Sequence, residues 1–137
     1  MIVETPPQPR KHRSHGNPEA KIQAECVTWM WNNKPETRGL YFCVPNENTQ
    51  SVYETKRQQM ISGSKRKAMG VVQGVSDTLL LISRHGYHGL CIEFKSEVGH
   101  QSEAQQIWQR NVEGQGYKYV IVRSLEEFVN VITEYLE

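Results

Sequence analysis

The chain has 137 residues, which suits one domain around one hydrophobic core, and no apolar run approaches the roughly 20 residues that cross a bilayer. Its formal net charge of +1 argues against a protein that holds nucleic acid through net charge alone. The cysteines Cys26, Cys43 and Cys91 are far apart and lie among apolar neighbours, so we expect buried free thiols in a reducing, cytoplasmic compartment.

The first predicted element is a basic tail. Residues 1–16 are rich in proline and basic side chains and lack the apolar stretch of a secretory signal, so we expect them to be disordered. A domain over 17–137 follows and opens with a helix, for which Asn17 is a suitable N-cap and Pro18 a suitable first residue. Apolar side chains then recur at helical spacing: Ile22, Cys26, Trp29 and Met30.

The middle of the chain predicts a helix between strands. A short strand is expected over 40–44, followed by a polar helix over about 49–68. Two compact apolar strands are then expected over 78–82 and 90–94, and the turn residues 84–87 join them as a hairpin.

The last third predicts a helix, a strand and a second helix. Ser102 and Gln105 have the spacing of a capping box, and Ser124 and Glu127 repeat that spacing before the final helix. A strand over 117–122 lies between the two helices, which completes the order α-β-α-β-β-α-β-α. The apolar face of the first of these helices is expected to comprise Ile107, Trp108 and Val112.

Three residues with catalytic chemistry converge on the predicted hairpin. Glu93 and Lys95 are two positions apart on one strand, so their side chains share a face, while Ile92 and Phe94 face the core. Counting outward from the turn brings Asp77 level with residues 93 and 94. Two carboxylates held so close repel each other, and Mg²⁺ or Mn²⁺, which prefer hard oxygen ligands, would neutralise them. Such a metal, with Lys95 beside it, is suited to phosphodiester hydrolysis.

A Glu-x-Lys triplet alone is common and is more often a surface ion pair, so the ordered set of motifs carries more information. The set comprises Gly-Val-Ser-Asp at 74–77, Ile-Glu-Phe-Lys at 92–95, Ser-Glu-Ala-Gln-Gln-Ile-Trp at 102–108 and Gly-Tyr at 116–117. In these segments the chain resembles the VRR-Nuc family of PD-(D/E)xK nucleases, in particular its stand-alone bacteriophage members, over about residues 17–137. The resemblance implies an α/β, restriction-endonuclease-like fold with a central mixed sheet flanked by helices.

The resemblance also implies roles for single residues. Asp77 and Glu93 would be metal ligands together with the backbone carbonyl of Phe94, and Lys95 would be the catalytic lysine. Gln105 matches a family glutamine that helps to hold the lysine and a water. Because it is also the capping-box partner at the start of its helix, we expect it to fill both roles only by switching partners.

The family further uses a glutamate of the first helix, for which Glu19 and Glu25 are the candidates. We favour Glu19, which lies on the face of Ile22 and Cys26, whereas Glu25 is turned roughly 120° away from that stripe. The alternative for Glu19 is a solvated first-turn glutamate that only complements the helix dipole.

The implied activity is that of a Mg²⁺- or Mn²⁺-dependent endodeoxyribonuclease selecting branched DNA, such as a homodimeric Holliday-junction resolvase in the cytoplasm of a bacterial host. A flap or single-strand-end nuclease and a non-catalytic nucleic-acid-binding module are the alternatives. No membrane association is expected, and no nucleotide cofactor, since a phosphate-loop motif is absent. The candidate phosphate contacts are the basic residues Lys56, Arg57, Lys65, Arg66 and Lys67.

Two other features have simpler interpretations. The spacing of His85, His88 and Cys91 lacks a fourth ligand, so it does not favour a zinc site. Trp29 and Trp108 lie on apolar helix faces, and we expect them to pack in the interior rather than stack on bases.

Overall fold

The computed structural model describes residues 16–45 and 63–137. Its helices and strands, in chain order, are α1 (Pro18–Asn33), β1 (Tyr41–Cys43), β2 (Thr78–Leu80), β3 (Leu90–Phe94), α2 (Glu103–Gly114), β4 (Lys118–Val122) and α3 (Leu125–Leu136). Residues 63–68 are helical as well, which confirms the predicted order of elements. The earlier part of the helix predicted over 49–68 lies outside the described residues, as does the predicted basic tail except for its last residue.

The strands of the described residues form one mixed sheet in the order β1-β2-β3-β4. β1 pairs with β2 and β2 with β3 in antiparallel fashion, whereas β3 and β4 are parallel. Every residue of β3 is buried, as expected for a strand covered on both faces. The predicted α/β class, with a mixed sheet flanked by helices, is therefore confirmed.

The main core lies between one face of the sheet and the helices α1 and α3. Phe128 of α3 is central to it, with its ring centroid 6.0 Å from that of Trp29 and 6.1 Å from that of Phe94. The prediction that Trp29 packs in the interior is thus confirmed. The largest contributors from α1, β3 and α3 are Met30, Leu90, Ile92, Phe94, Phe128, Ile132 and Tyr135.

A second, thinner layer lies under α2 on the opposite face. Trp108 packs there against Tyr119 of β4, with ring centroids 6.1 Å apart, as predicted. The predicted apolar face of α2 is wrong at Ile107, whose side chain is 44% exposed. None of the residues of α2 is fully buried, so this helix leaves part of its apolar side exposed to solvent.

The first helix begins as its sequence predicts. Asn17 Oδ1 accepts hydrogen bonds from the backbone N–H groups of Glu19 at 3.1 Å and Ala20 at 3.4 Å, and Pro18 occupies the first turn. The predicted apolar stripe places Cys26 and Met30 in the core. Among the residues that the structure describes, no helix is long and apolar enough to cross a membrane.

The hairpin turn sets the register that brings the candidate site together. His85 and Gly86 both have positive φ, 54° and 82°, the combination of a type I′ two-residue turn. Arg84 bridges Tyr87 across this turn. Between that bridge and the strand pair Leu80↔Leu90, the first strand carries one more residue than the second. The offset sets Asp77 opposite Glu93.

The cysteine prediction is correct at two of three positions. Cys26 and Cys91 are buried free thiols, but Cys43 is exposed. β1 is an edge strand of the described sheet, and its last two residues face solvent. The apolar neighbours of Cys43 in the sequence therefore do not imply burial.

Candidate active site

Asp77 lies immediately before β2 and is held through both its backbone and its side chain. Its backbone carbonyl accepts from Val44 N at 2.8 Å. Its carboxylate oxygen Oδ2 accepts from the backbone N–H of Phe94, also at 2.8 Å. The preceding residue, Ser76, is fully buried and donates its hydroxyl to Thr78 O at 3.1 Å. Asp77 is thereby fixed against the end of the central strand.

Glu93 and Lys95 project from one face of β3, as their two-residue spacing predicts. Both are nearly inaccessible, with 2% and 7% of their surface exposed. Lys95 Nζ lies 3.9 Å from Glu93 Oε1. The backbone N–H of Lys95 donates to Val122 O at 3.0 Å, so the parallel pairing with β4 continues through this position. The carboxyl group of Glu93 and the amino group of Lys95 are thus held side by side in a buried layer of the protein.

Gln105 joins the first turn of α2 to this pair. Its Nε2 donates to Glu93 Oε1 at 3.0 Å, while its Oε1 accepts from the backbone N–H of Ser102 at 2.8 Å. Ser102 Oγ in turn accepts from Gln105 N at 3.2 Å, which completes the predicted capping box. Gln105 need not switch partners to reach the site, because one end of its amide caps α2 while the other end donates to Glu93 rather than to Lys95.

The electrostatics of the pair are unfavourable without a further cation. Burial, followed by the charge of Asp77, raises the pKa of Glu93 to about 8. Burial also raises the pKa of Asp77, although its hydrogen bond from Phe94 N opposes that change. Lys95 lowers both pKa values, but this effect is smaller than that of burial. Two carboxyl groups therefore resist ionisation in one small volume.

This arrangement fits a divalent cation. Glu93 Oε2 is buried and accepts a hydrogen bond from no donor group of the described residues, and the group that faces it is a second carboxyl, that of Asp77. Within residues 16–45 and 63–137, no three His, Cys, Asp or Glu side chains are grouped closely enough to hold a metal alone. Mg²⁺ is commonly held by one or two carboxylates, with water and substrate phosphate supplying the remaining oxygens. Asp77, Glu93 and a neighbouring carbonyl such as that of Phe94 suit that mode.

Glu19 approaches the same region from the first turn of α1. Its Oε1 accepts from Ser96 N, just beyond β3, at 3.4 Å. Its charge contributes to the raised pKa values of Asp77 and Glu93. Glu25 is exposed on the other side of the helix. Of the two candidates, it is Glu19 that the structure brings to the site.

Arg123 belongs to the site's surroundings and has no signal in the sequence analysis. Its Nη1 donates to Ser96 O at 2.5 Å and to Gly99 O at 2.9 Å. It thereby closes the loop over residues 96–99 that follows Lys95. The only pattern that marks it is an arginine placed between a buried strand and a capping box, which does not distinguish it from any other surface arginine.

The basic residues are only partly described. Lys65, Arg66 and Lys67 lie in the helical residues 63–68, where Lys65 and Lys67 are exposed. Lys56 and Arg57, the other candidate phosphate contacts, lie outside the described residues.

Comparison with known proteins finds one matching family and a similar solved structure. The family model described as the VRR-NUC domain matches residues 17–126, a range that contains every site residue discussed above. A solved structure described as "VRR_NUC domain protein" is similar over 90% of this chain and 91% of that chain, with a TM-score of 0.71 and 24% sequence identity. At this identity the similarity shows the fold alone. No curated protein matches the chain.

Proposed function

Since the chain belongs to the VRR-NUC family of nuclease domains, we propose that it hydrolyses DNA phosphodiester bonds, with Mg²⁺ or Mn²⁺, at the site formed by Asp77, Glu93 and Lys95. The observation that carries this proposal is the buried Glu93 Oε2, which no donor group within residues 16–45 and 63–137 reaches with a hydrogen bond. A buried carboxylate oxygen is costly to leave unpaired. Its position opposite Asp77 makes a cation the partner that would satisfy both groups.

The residues of the chain divide the work. Asp77, Glu93 and the carbonyl of Phe94 would hold the metal, which when bound supplies Lewis-acid polarisation of the phosphate and a more acidic water. The bond from Gln105 Nε2 fixes one oxygen of Glu93 and leaves the other for the metal. Lys95 lies beside Glu93 in the same buried layer, where it can orient the attacking water or stabilise negative charge developing on the phosphate.

The substrate class is proposed from the surface that this nuclease domain offers to DNA. A domain of this length has little surface for reading bases in the major groove, so selection by DNA shape is the proposed mode. We propose a four-way junction as the substrate and a homodimer as the active form, because a two-fold axis would set two sites on opposing strands of a symmetric junction. The exposed Lys65 and Lys67 are proposed to contact phosphates.

Cleavage of defined DNA structures tests the proposal. End-labelled four-way junction, flap and linear duplex would be incubated with Mg²⁺ or Mn²⁺, and in parallel with a chelator, while light scattering measures the mass of the free protein. We expect paired symmetric nicks in the junction, no cleavage with chelator, and the mass of a dimer. Cleavage of flaps with junctions left intact by a monomer would reject resolvase activity while keeping the nuclease.

The matched control uses two lysines. Lys95→Ala should reduce cleavage by about 10²–10⁴-fold, since it removes a positioned charge at the reacting phosphate. Lys21→Ala removes an exposed lysine of α1 and should cleave as the wild type does. Equal cleavage by the Lys95→Ala protein would expose a contaminating nuclease. Binding of DNA without cleavage under every metal would favour a non-catalytic module.

A further inference from the structure

Gly74 lies three residues before Asp77, and its backbone rests directly on the first turn of α2. A Cβ atom added to Gly74 would lie 2.3 Å from the carbonyl oxygen of Ala104 and 2.7 Å from the backbone nitrogen of Gln105. Both of these atoms belong to backbone, so no side chain can rotate away to make room. The loop that leads to Asp77 and the helix that carries Gln105 are thus in contact at a point where only glycine fits.

This contact differs from an ordinary need for left-handed backbone. Gly74 has φ of +84°, and Gly39 has nearly the same value, +82°. At Gly39, however, an added Cβ would meet no atom of the described residues within 4 Å. The two positions therefore share the conformational preference for glycine and differ in the close approach of another segment.

The contact closes a ring of interactions around the site. Gln105, whose nitrogen touches Gly74, donates its side-chain amide to Glu93. The residue after Glu93, Phe94, donates its backbone N–H to the carboxylate of Asp77. Asp77 leads back through two residues to Gly74. The Glu93 carboxylate is thus held by Gln105, which contacts the loop that leads to Asp77. The Asp77 carboxylate is held by the backbone of the strand that carries Glu93.

We propose that Gly74 is a positioning residue that sets the spacing between Asp77 and Glu93 by docking the Asp77 loop on the start of α2. This role rests on the proposed function of the two carboxylates as metal ligands. Bringing an added Cβ from 2.3 Å to the 3.4 Å of ordinary contact requires the two segments to separate by about 1 Å. A displacement of that size in a catalytic arrangement costs about 100-fold in rate.

The test compares Gly74→Ala with Gly39→Ala. Mn²⁺ affinity is measured by calorimetry without DNA, and cleavage is measured separately. We expect Gly74→Ala to weaken Mn²⁺ binding by about 10–100-fold, as loss of a ligand-supporting contact typically does, and Gly39→Ala to stay within about 3-fold of the wild type. Equal losses of Mn²⁺ affinity in the two variants would show that glycine is needed at position 74 only for its left-handed backbone, and would overturn the proposal.

A double-mutant cycle separates positioning from general damage. In a Gln105→Ala background, Gly74→Ala should cost much less Mn²⁺ affinity than in the wild type, because the route through Gln105 is already lost. If the double variant loses Mn²⁺ affinity by the product of the two single losses, the proposal is contradicted. If the wild type binds Mn²⁺ but leaves DNA intact, the proposed nuclease activity fails while this comparison still stands.

Two outcomes call for a readout that needs neither metal nor the Gly74→Ala variant. If Gly74→Ala does not fold, or if the wild type binds no Mn²⁺, backbone amide chemical shifts are compared between the wild type and Ser102→Ala, which loosens only the α2 cap. We expect the shifts of residues 74–77 to change with those of Gln105. Unchanged shifts at 74–77 would show that the contact transmits nothing and overturn the proposal.

Discussion

Gln105 donates its side-chain N–H to Glu93 Oε1 at 3.0 Å, yet the second, buried carboxylate oxygen of Glu93 receives no hydrogen bond from the part of the chain that the structure describes. The glutamate is therefore oriented on one side and unsatisfied on the other. An oriented, unsatisfied carboxylate is costly in the protein alone and is suited to receive a cation. This asymmetry links the stability of the metal-free protein to the proposed activity.

Replacing Glu93 with glutamine should therefore stabilise the metal-free protein while abolishing cleavage. Glu93→Gln keeps an acceptor for Gln105 Nε2 and removes the cost of protonating a buried carboxyl group on folding, so we expect unfolding to require about 1–2 kcal/mol more at pH 7.5. Urea unfolding with chelator present measures the change. The control, Glu97→Gln, alters an exposed glutamate of the following loop and should leave stability unchanged. A less stable Glu93→Gln protein would contradict the assigned electrostatics.

The stability of the metal-free protein should fall as the pH rises from about 4.5 to 8. Glu93 has its pKa raised from 4.5 to about 8, chiefly by burial. Between these values the folded protein holds a proton that the unfolded chain has released, so increasing pH favours unfolding. The stability that this proton confers is complete below pH 4.5 and is lost as pH passes 8. Measuring urea midpoints of wild type and Glu93→Gln across this window isolates the contribution, and parallel curves would refute it.

The convergence of Asp77 and Glu93 could be predicted from the sequence because it depends on local rules. Strand alternation places Glu93 and Lys95 on one face. Counting from the turn at His85 and Gly86 brings Asp77 level with residues 93 and 94, and the one-residue offset beside the turn sets it opposite Glu93. The capping box of Ser102 and Gln105 is a four-residue pattern. The capping role of Gln105 follows from that pattern, whereas its bond to Glu93 required the geometry.

The contacts of Gly74 and Arg123 could not be predicted in this way. Each joins segments far apart in the chain: Gly74 touches Ala104, and Arg123 holds Gly99. The spacing of residues along the sequence does not predict these contacts, because they depend on how α2 and β4 pack in the folded protein. The prediction that Cys43 is buried was wrong for a related reason, because apolar neighbours in the sequence do not reveal an edge strand.

The two roles of Gln105 can be separated by substitution. Gln105→Ala should lower the free energy of unfolding by about 1 kcal/mol, through the lost capping bond, and lower cleavage by about 10–100-fold. Gln105→Glu can still accept from Ser102 N but sets a second carboxylate against Glu93, so it should lose cleavage to a similar degree. Thermal unfolding and cleavage are measured together, with Gln106→Ala at an exposed neighbour as control. Wild-type cleavage by Gln105→Glu would show that the bond to Glu93 has no role.

Loss of the Arg123 guanidinium should release the loop over 96–99. Arg123→Ala removes hydrogen bonds from a charged donor to Ser96 O and Gly99 O, each of which contributes about 1.5–3 kcal/mol in favourable cases. We expect faster amide exchange at residues 96–99 and a reduced free energy of unfolding. Arg110→Ala, at an exposed arginine of α2, is the control. Unchanged exchange in the loop would mean that Arg123 does not hold it.

Glu19 and Glu25 offer a matched pair for the question of a third acidic group. Glu19→Gln retains an acceptor for Ser96 N, so the loop contact can persist while the charge is lost. If that charge takes part in holding the metal, Mn²⁺ affinity measured by calorimetry should fall by about 10-fold. Glu25→Gln, on the exposed side of the same helix, should bind Mn²⁺ as the wild type does. Wild-type affinity in both variants would restrict Glu19 to anchoring the loop after Lys95, and equal losses would point to the overall negative charge of α1 instead.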